Sequence, residues 1–403
     1  MLPATHTLIC GGGILGLTVA RELVARGYDR ITILEKEPSL GRHASGRNSG
    51  ILHAGIYYTP DTAKAKYCLS GNFLMRAYCQ QHGLPLVESG KVVVTSSAAQ
   101  LDTLHELHRR AIQNGAKVDL LDERQLAEVE PQAKTVQQAL FSHYTAVVDP
   151  QKILDCLGDE LKASGKVTIL FDTAFLGNRN RGEALTSRGT IAYRHLINVA
   201  GAYSDKIAHA FGVGQRYMLI PFKGVYRQLR PEKTAMVKGS IYPVPDIRNP
   251  FLGIHFTRSV KGDVYLGPTA IPAFGRENYG ILKGLDRESL TIMARDLVLL
   301  VKNRKFRSIA LDEPKKYIFK YFFEDARKLV KALSPEDIMP CSKVGIRPQL
   351  IDLETNELVM DFLIEKGPDS IHVLNAISPA FTSSMSFAKL IADACGPGQA
   401  KPA

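Results

Sequence analysis

Residues 41–60, GRHASGRNSGILHAGIYYTP, gather four glycines, two arginines, two histidines and a pair of tyrosines. Histidine titrates near neutral pH and serves as a general base. Arginine grips carboxylates and phosphates through paired N–H donors and keeps its charge. Glycine lets backbone pass close to a ligand. A stretch holding all three suits a loop that faces a ligand, with His53 beside Tyr57 and Tyr58. A second histidine of interest, His255, stands in HFT on a strand-like run. Either histidine can take a proton while the other orients a substrate. His105 and His108 lie on an amphipathic helical pattern and read as structural.

The elements before this loop say what it faces. THTLIC reads as a strand, GGGILG as a turn, LTVARELVARG as a helix stopped by Gly27, and RITILE as a second strand. Gly11, Gly13 and Gly16 form G-x-G-x-x-G in this strand–turn–helix context. The first glycine allows the tight turn, the second admits a pyrophosphate, and the third packs helix on strand. The helix N-terminus offers N–H groups and partial positive charge to phosphate. Glu35 stands nineteen residues past Gly16 at the end of the second strand, where a carboxylate accepts hydrogen bonds from a ribose diol. NAD and FAD both satisfy this motif. The loop favours FAD, whose isoalloxazine ring extends past the pyrophosphate and needs small residues beside it: Gly46, Ser49, Gly50 and Gly55. Arg42, Arg47 and Asn48 suit phosphate or ribitol oxygens. Ile14, Lys36, Ser45, Gly201 and Gly345 complete this set of expected cofactor contacts.

The rest of the chain frames two interleaved domains. At 403 residues it exceeds one typical core. Nucleotide-type elements recur at both ends and near 150–212. Between Pro221 and Pro272 the pattern alternates, as in FKGVYRQLRPEK and DVYLGPTAI, which suits an antiparallel sheet. The expected fold is α/β. A Rossmann-like FAD-binding domain (1–85, 145–215, 343–403) is interleaved with an α+β substrate domain on a mostly antiparallel sheet (86–144, 216–342). The net charge is +11, and residues 295–331 carry eleven cations against five anions, +6 in a helical-looking segment within 286–334. Such a segment suits a membrane surface or a solvated helical cover. No nucleic-acid module accompanies the charge. The six cysteines show no CxxC or metal-ligand spacing and read as reduced thiols of a cytoplasmic chain; no metal is expected. No signal peptide is evident, and no run reaches the roughly 18 apolar residues of a membrane span. The Gly/Pro/Ala tail 396–403 is expected to lie outside the fold.

GGGILG, LEKE, GRNSGILHAGIYYTP, KAKYC, INVAGAYSDKIA, IPFKGVYRQLRPEK, HFTRSVKGDVYLGPTAIPAFGRENYG, GIRPQL and LNAISPAFTSSMSFAKLIAD together resemble the L-2-hydroxyglutarate oxidase/dehydrogenase family. That family lies within the FAD-dependent D-amino-acid oxidase and glycerol-3-phosphate dehydrogenase superfamily. The resemblance spans almost the whole chain. It departs at 300–335, shorter than the family's helical insert, and at Asn375–Ala380 and Gly345–Gln349, where NAISPA and GIRPQ stand for NAPSPA and GVRAQ.

The resemblance implies oxidation of an α-hydroxy acid, L-2-hydroxyglutarate, to 2-oxoglutarate, with hydride passing to the flavin and electrons on to oxygen, a quinone or an electron-transfer partner. His53 or His255 would be the base. A dicarboxylate needs cations, and Arg347 in GIRPQ is the first candidate, with Arg258 and then Lys223 behind it. The turn before the last helix, with Pro379, Ala380, Thr382 and Ser383, would point its N–H groups at the flavin. Three rival readings follow: another substrate in the same superfamily, a flavin-binding protein without activity, and an NAD(P)-dependent dehydrogenase. The expected location is cytoplasmic, at the inner face of the cytoplasmic membrane if the basic segment binds lipid.

Overall fold

The computed structural model describes residues 2–246 and 251–395. The tail 396–403 lies outside the described residues. Among the described residues two large sheets organise the chain. The first has six strands, in the order Leu363–Gly367, Ser370–Asn375, His195–Asn198, Thr7–Cys10, Ile31–Leu34 and Val167–Leu170. All pair in parallel except Leu363–Gly367. The expected first unit is present: Thr7–Cys10 and Ile31–Leu34 are wholly buried, and Ile14–Ala25 joins them. Strands buried on both faces read as near-continuous apolar runs, as TLIC and ITIL do apart from Thr7 and Thr32. Leu17, Leu23, Ile33, Leu154, Ile371 and Phe387 meet in the core between this sheet and its helices.

The second sheet has nine strands. Its order runs from Ile271–Pro272 through Tyr217–Leu229, Val264–Gly267, His255–Arg258, Ser240–Pro243, Lys91–Val94 and Gln138–Ser142 to Val118–Asp122, with Ile338–Asp352 also pairing Tyr217–Leu229. All its pairings are antiparallel except Ser240–Pro243 with Lys91–Val94. Phe256, Leu266, Phe322 and Leu329 pack one of its cores. Near 145 and 215 the chain passes between strands of different sheets, whereas 85 lies between Ile51–Leu52 and Leu86–Val87, which both pair Ala146–Val148 in a small third sheet. Position 343 also lies within one sheet. Ile338–Asp352 stays paired with Tyr217–Leu229 from Leu229↔Ile338 to Tyr217↔Asp352, so the last return comes after Asp352. The chain therefore joins the two sheets through several crossings, and the candidate site lies where they meet.

The basic segment folds as short helices, Ser289–Lys302, Arg304–Asp312 and Phe319–Ala326. Among the described residues no helix is long and apolar enough to cross a membrane.

Candidate active site

A cavity of about 660 Å³ runs from the Gly11–Ile14 turn to the large sheet. At its nucleotide end Gly11 has φ +114°, and a Cβ there would lie 2.7 Å from the Val199 carbonyl oxygen. A Cβ on Gly16 would lie 1.9 Å from the Gly11 carbonyl oxygen, so this glycine serves helix–strand packing and does not line the cavity. The helix Ile14–Ala25 opens on Gly13 with no acidic residue in its first turn, and the Ile14 amide donates to Ser45 Oγ at 3.0 Å. Glu35 accepts from the amides of Gly12 (3.1 Å) and Glu37 (2.9 Å). Burial raises its pKa, and those amides hold back part of the rise. Each carboxylate oxygen keeps a second lone pair for a ligand hydroxyl.

The loop 41–60 continues along the cavity. Arg42, Ser45, Arg47, Asn48, Ser49 and His53 line it, as do Gly201, Gly345, Pro379, Ala380 and Thr382. Asn48 shapes the loop, donating to Ser45 O (2.7 Å) and accepting from the Gly50 amide (2.8 Å). A Cβ on Gly46 would lie 2.1 Å from Gly41 O, and one on Gly50 2.5 Å from Val148 O. These two glycines close the loop without lining the cavity. Lys36 lines it, but its ammonium is engaged by Glu37, by Glu277 (2.6 Å) and by His43 (2.8 Å). Thr382 Oγ1 accepts from the His53 amide (3.1 Å) and donates to Ile51 O (3.2 Å), tying the last helix to the loop. Ser383 is buried beside it and does not reach the cavity.

FAD fits these residues. The glycine-capped helix end lacks acidic residues in its first turn, and a Cβ on Gly13 would meet Ser45 Oγ at 3.0 Å, so a side chain there would crowd the turn. Glu35 stands where a ribose is read. His53 Nδ1 is buried at the other end with no hydrogen-bond partner among the described residues.

That far end holds His53, Tyr226, Tyr242, Phe251, His255, Glu313 and Arg347. His255 Nδ1 lies 2.8 Å from Gly253 O, and a carbonyl can only accept. Nδ1 therefore carries the hydrogen, and Nε2 keeps its lone pair. Burial lowers the His255 pKa to about 3, with Lys91 and Arg347 adding to the effect against the Gly253 bond. Burial likewise holds His53 well below the ordinary value, with Lys91, His255 and Arg347 adding. Arg347 lies over the Phe251 ring at 4.9 Å and has no side-chain hydrogen bond among the described residues. Burial lowers its pKa while nearby phenols and Glu313 oppose this.

Four expected substrate contacts lie elsewhere. Arg258 Nη1 donates to Thr234 O (2.8 Å) and Val237 O (3.0 Å), away from the cavity. Lys223 alternates with Phe222 and Gly224, which line the cavity, so its ammonium points to Asn278 Oδ1 (3.1 Å) and Gly280 O (2.6 Å). Tyr57 and Tyr58 sit behind the cavity because Asn114 Nδ2 pins the carbonyls of Gly55 and Tyr58, each at 2.9 Å. Tyr226, Tyr242, Phe251 and Glu313 were not anticipated from the sequence.

Residues 6–394 match the family of FAD dependent oxidoreductases. The chain is 36% identical to a mitochondrial L-2-hydroxyglutarate dehydrogenase of Nematostella vectensis, covering 97% of this chain and 91% of that one. It is 34% identical to the mitochondrial L-2-hydroxyglutarate dehydrogenase of Homo sapiens (96% and 87%) and 33% to the L-2-hydroxyglutarate dehydrogenase of Escherichia coli (94% and 90%). In fold it is similar to L-alpha-glycerophosphate oxidase from Mycoplasma pneumoniae, solved with FAD bound, at 22% identity and a TM-score of 0.74 over 96% of this chain and 94% of that one. A nucleotide turn, a cavity running from it to the large sheet and a match over nearly every residue agree: the chain belongs to the family of FAD-dependent oxidoreductases, with FAD as its cofactor.

Proposed function

We propose that this chain oxidises L-2-hydroxyglutarate to 2-oxoglutarate. The observation that carries the reading is the pairing, at one end of the cavity, of a neutral His255 with an Arg347 that has no side-chain acceptor among the described residues. Arg347 holds a substrate carboxylate through two N–H donors. His255 Nε2 takes the hydroxyl proton, and the Gly253 carbonyl keeps the ring in that tautomer. His53, whose burial also favours the neutral ring, orients the substrate from the loop 41–60. Bound FAD supplies the acceptor for the hydride that leaves Cα. Gly11, Gly13, Ile14, Glu35, Ser45 and the turn Pro379–Thr382 hold that cofactor. The names of the relatives support the substrate.

The test is a visible spectrum of the purified holoenzyme, taken anaerobically before and after L-2-hydroxyglutarate, with the D-isomer and glycerol-3-phosphate alongside. Flavin bands that bleach only with the L-isomer support the reading. Bands that bleach with another substrate, or with none, overturn it.

The electron acceptor in this reading is a membrane quinone. Leu290, Met293, Leu297 and Val301 repeat at helical spacing and are exposed, Leu290 and Val301 to about three quarters. Lys302, Arg304 and Lys305 follow them directly. An apolar helical stripe beside cations rests on an anionic bilayer.

A further inference from the structure

Lys91 opens the strand Lys91–Val94 and is almost wholly buried. Its amine has no hydrogen-bond partner among the described residues. It lies 4.5 Å from the Tyr57 ring centroid and 4.7 Å from that of Tyr242. Two aromatic faces thus flank an amine that no anion contacts among the described residues. Tyr242 stacks in turn on His255. The strand register continues the pattern: Ile241 pairs Val92 and Ser240 pairs Thr257, which brings Lys91, Ser240 and Thr257 to neighbouring strands. Ser240 Oγ and Tyr57 Oη are also buried with no hydrogen-bond partner among the described residues. The titratable groups around the ammonium are Tyr57 and His53 on the loop, Tyr242 and His255 on the sheet, and Cys68 on the helix Ala63–Gln81. Among the described residues no ion pair reaches it.

We propose that Lys91 is the second cation for a doubly charged substrate, acting from behind the Tyr242–His255 stack, and that filling the site draws a proton from solvent onto it. Burial lowers the Lys91 pKa to about 7, so near neutral pH the free protein holds the amine only partly charged. Tyr242 and His255 line the cavity and Lys91 does not, so a dianion held at Arg347 acts on the amine across the Tyr242–His255 stack, where its negative charge favours the ammonium. The balance is simple: one proton moves from solvent to Nζ, and no covalent bond to substrate forms. Lys91 is a positioning residue, and its role sets a preference for dicarboxylates over monocarboxylates. The inference rests on the dicarboxylate reading proposed above.

Calorimetric titration of the FAD-loaded enzyme with glutarate, in buffers of different ionisation enthalpy, reads proton uptake directly. Wild type is expected to take up roughly half a proton per site at pH 7, rising toward one at pH 8.5. Lys91→Met and Lys91→Gln are expected to abolish this uptake and raise KM about tenfold below pH 7, with kcat within about twofold. Glutarate binding without proton uptake by wild type, or equal uptake by a folded variant, overturns the role of Lys91 and leaves the substrate reading standing. If glutarate and 2-oxoglutarate both fail to bind, the substrate reading falls, and the role of Lys91 with it. If neither variant folds, the wild-type titration decides alone.

Discussion

The imidazole of His255 lies flat on the phenol ring of Tyr242, with centroids 3.8 Å apart and 19° between the planes. The stack fixes the ring from one face while the Gly253 carbonyl fixes its tautomer at 2.8 Å. His255 is thereby a neutral base before any substrate arrives.

His255→Gln should lower kcat by about 10²–10⁴-fold, the range for loss of a general base, and His53→Gln by less. Because the His255 pKa is pushed down to about 3, kcat/KM should show no acid limb near pH 6.5 from this group. Stability follows the same shift. Between pH 6.5 and about 3 the unfolded chain binds a proton that the folded one refuses, so wild type should lose stability relative to His255→Gln as pH falls through that window. Stopped-flow flavin reduction and pH-dependent unfolding check the two statements.

Arg347→Gln should raise KM far more than it lowers kcat. Hydrogen bonds to a charged group contribute about 1.5–3 kcal/mol, which corresponds to roughly 10–150-fold in KM. Arg347→Lys should recover part of the charge and none of the paired geometry. Steady-state kinetics on L-2-hydroxyglutarate separates the two effects.

Glu35→Gln should weaken FAD retention while leaving the fold intact. Its carboxylate accepts two backbone amides and keeps lone pairs for a ribose diol. The expected loss is about 1–2 kcal/mol, or roughly 5–30-fold in Kd, read from flavin absorbance after gel filtration. Unchanged retention would remove Glu35 from the cofactor site.

Gly71 lies where the helices Ala63–Gln81 and Ala380–Ala394 cross. A Cβ there would sit 2.4 Å from Thr382 O and 2.6 Å from Ser383 Cα. Gly71→Ala should cost about 1–3 kcal/mol of stability through overpacking, and should also loosen FAD because Thr382 lines its cavity. Thermal unfolding with and without added FAD measures both.

The stripe Leu290–Met293–Leu297–Val301 should bring the protein to anionic vesicles. Leu297→Glu with Val301→Glu should abolish flotation with such vesicles without altering anaerobic flavin reduction. Equal binding by the variant would remove this face from the membrane reading.

What the sequence alone determined is the local chemistry. The glycines of GGGILG meet steric needs set within a few residues, and the apolar runs TLIC and ITIL can be buried only as central strands. The long family resemblance carried the cofactor and substrate class. Only the tertiary structure decided which charges face the cavity. Arg347 and Arg258 look alike in sequence, yet one lines the cavity and the other caps backbone carbonyls. Successive strand side chains point to opposite faces, so Lys223 turns away while its neighbours Phe222 and Gly224 line the site. Lys91 reads as an ordinary strand start. It meets Tyr242 because a parallel pairing brings strands about 150 residues apart into register, and no local pattern records that register.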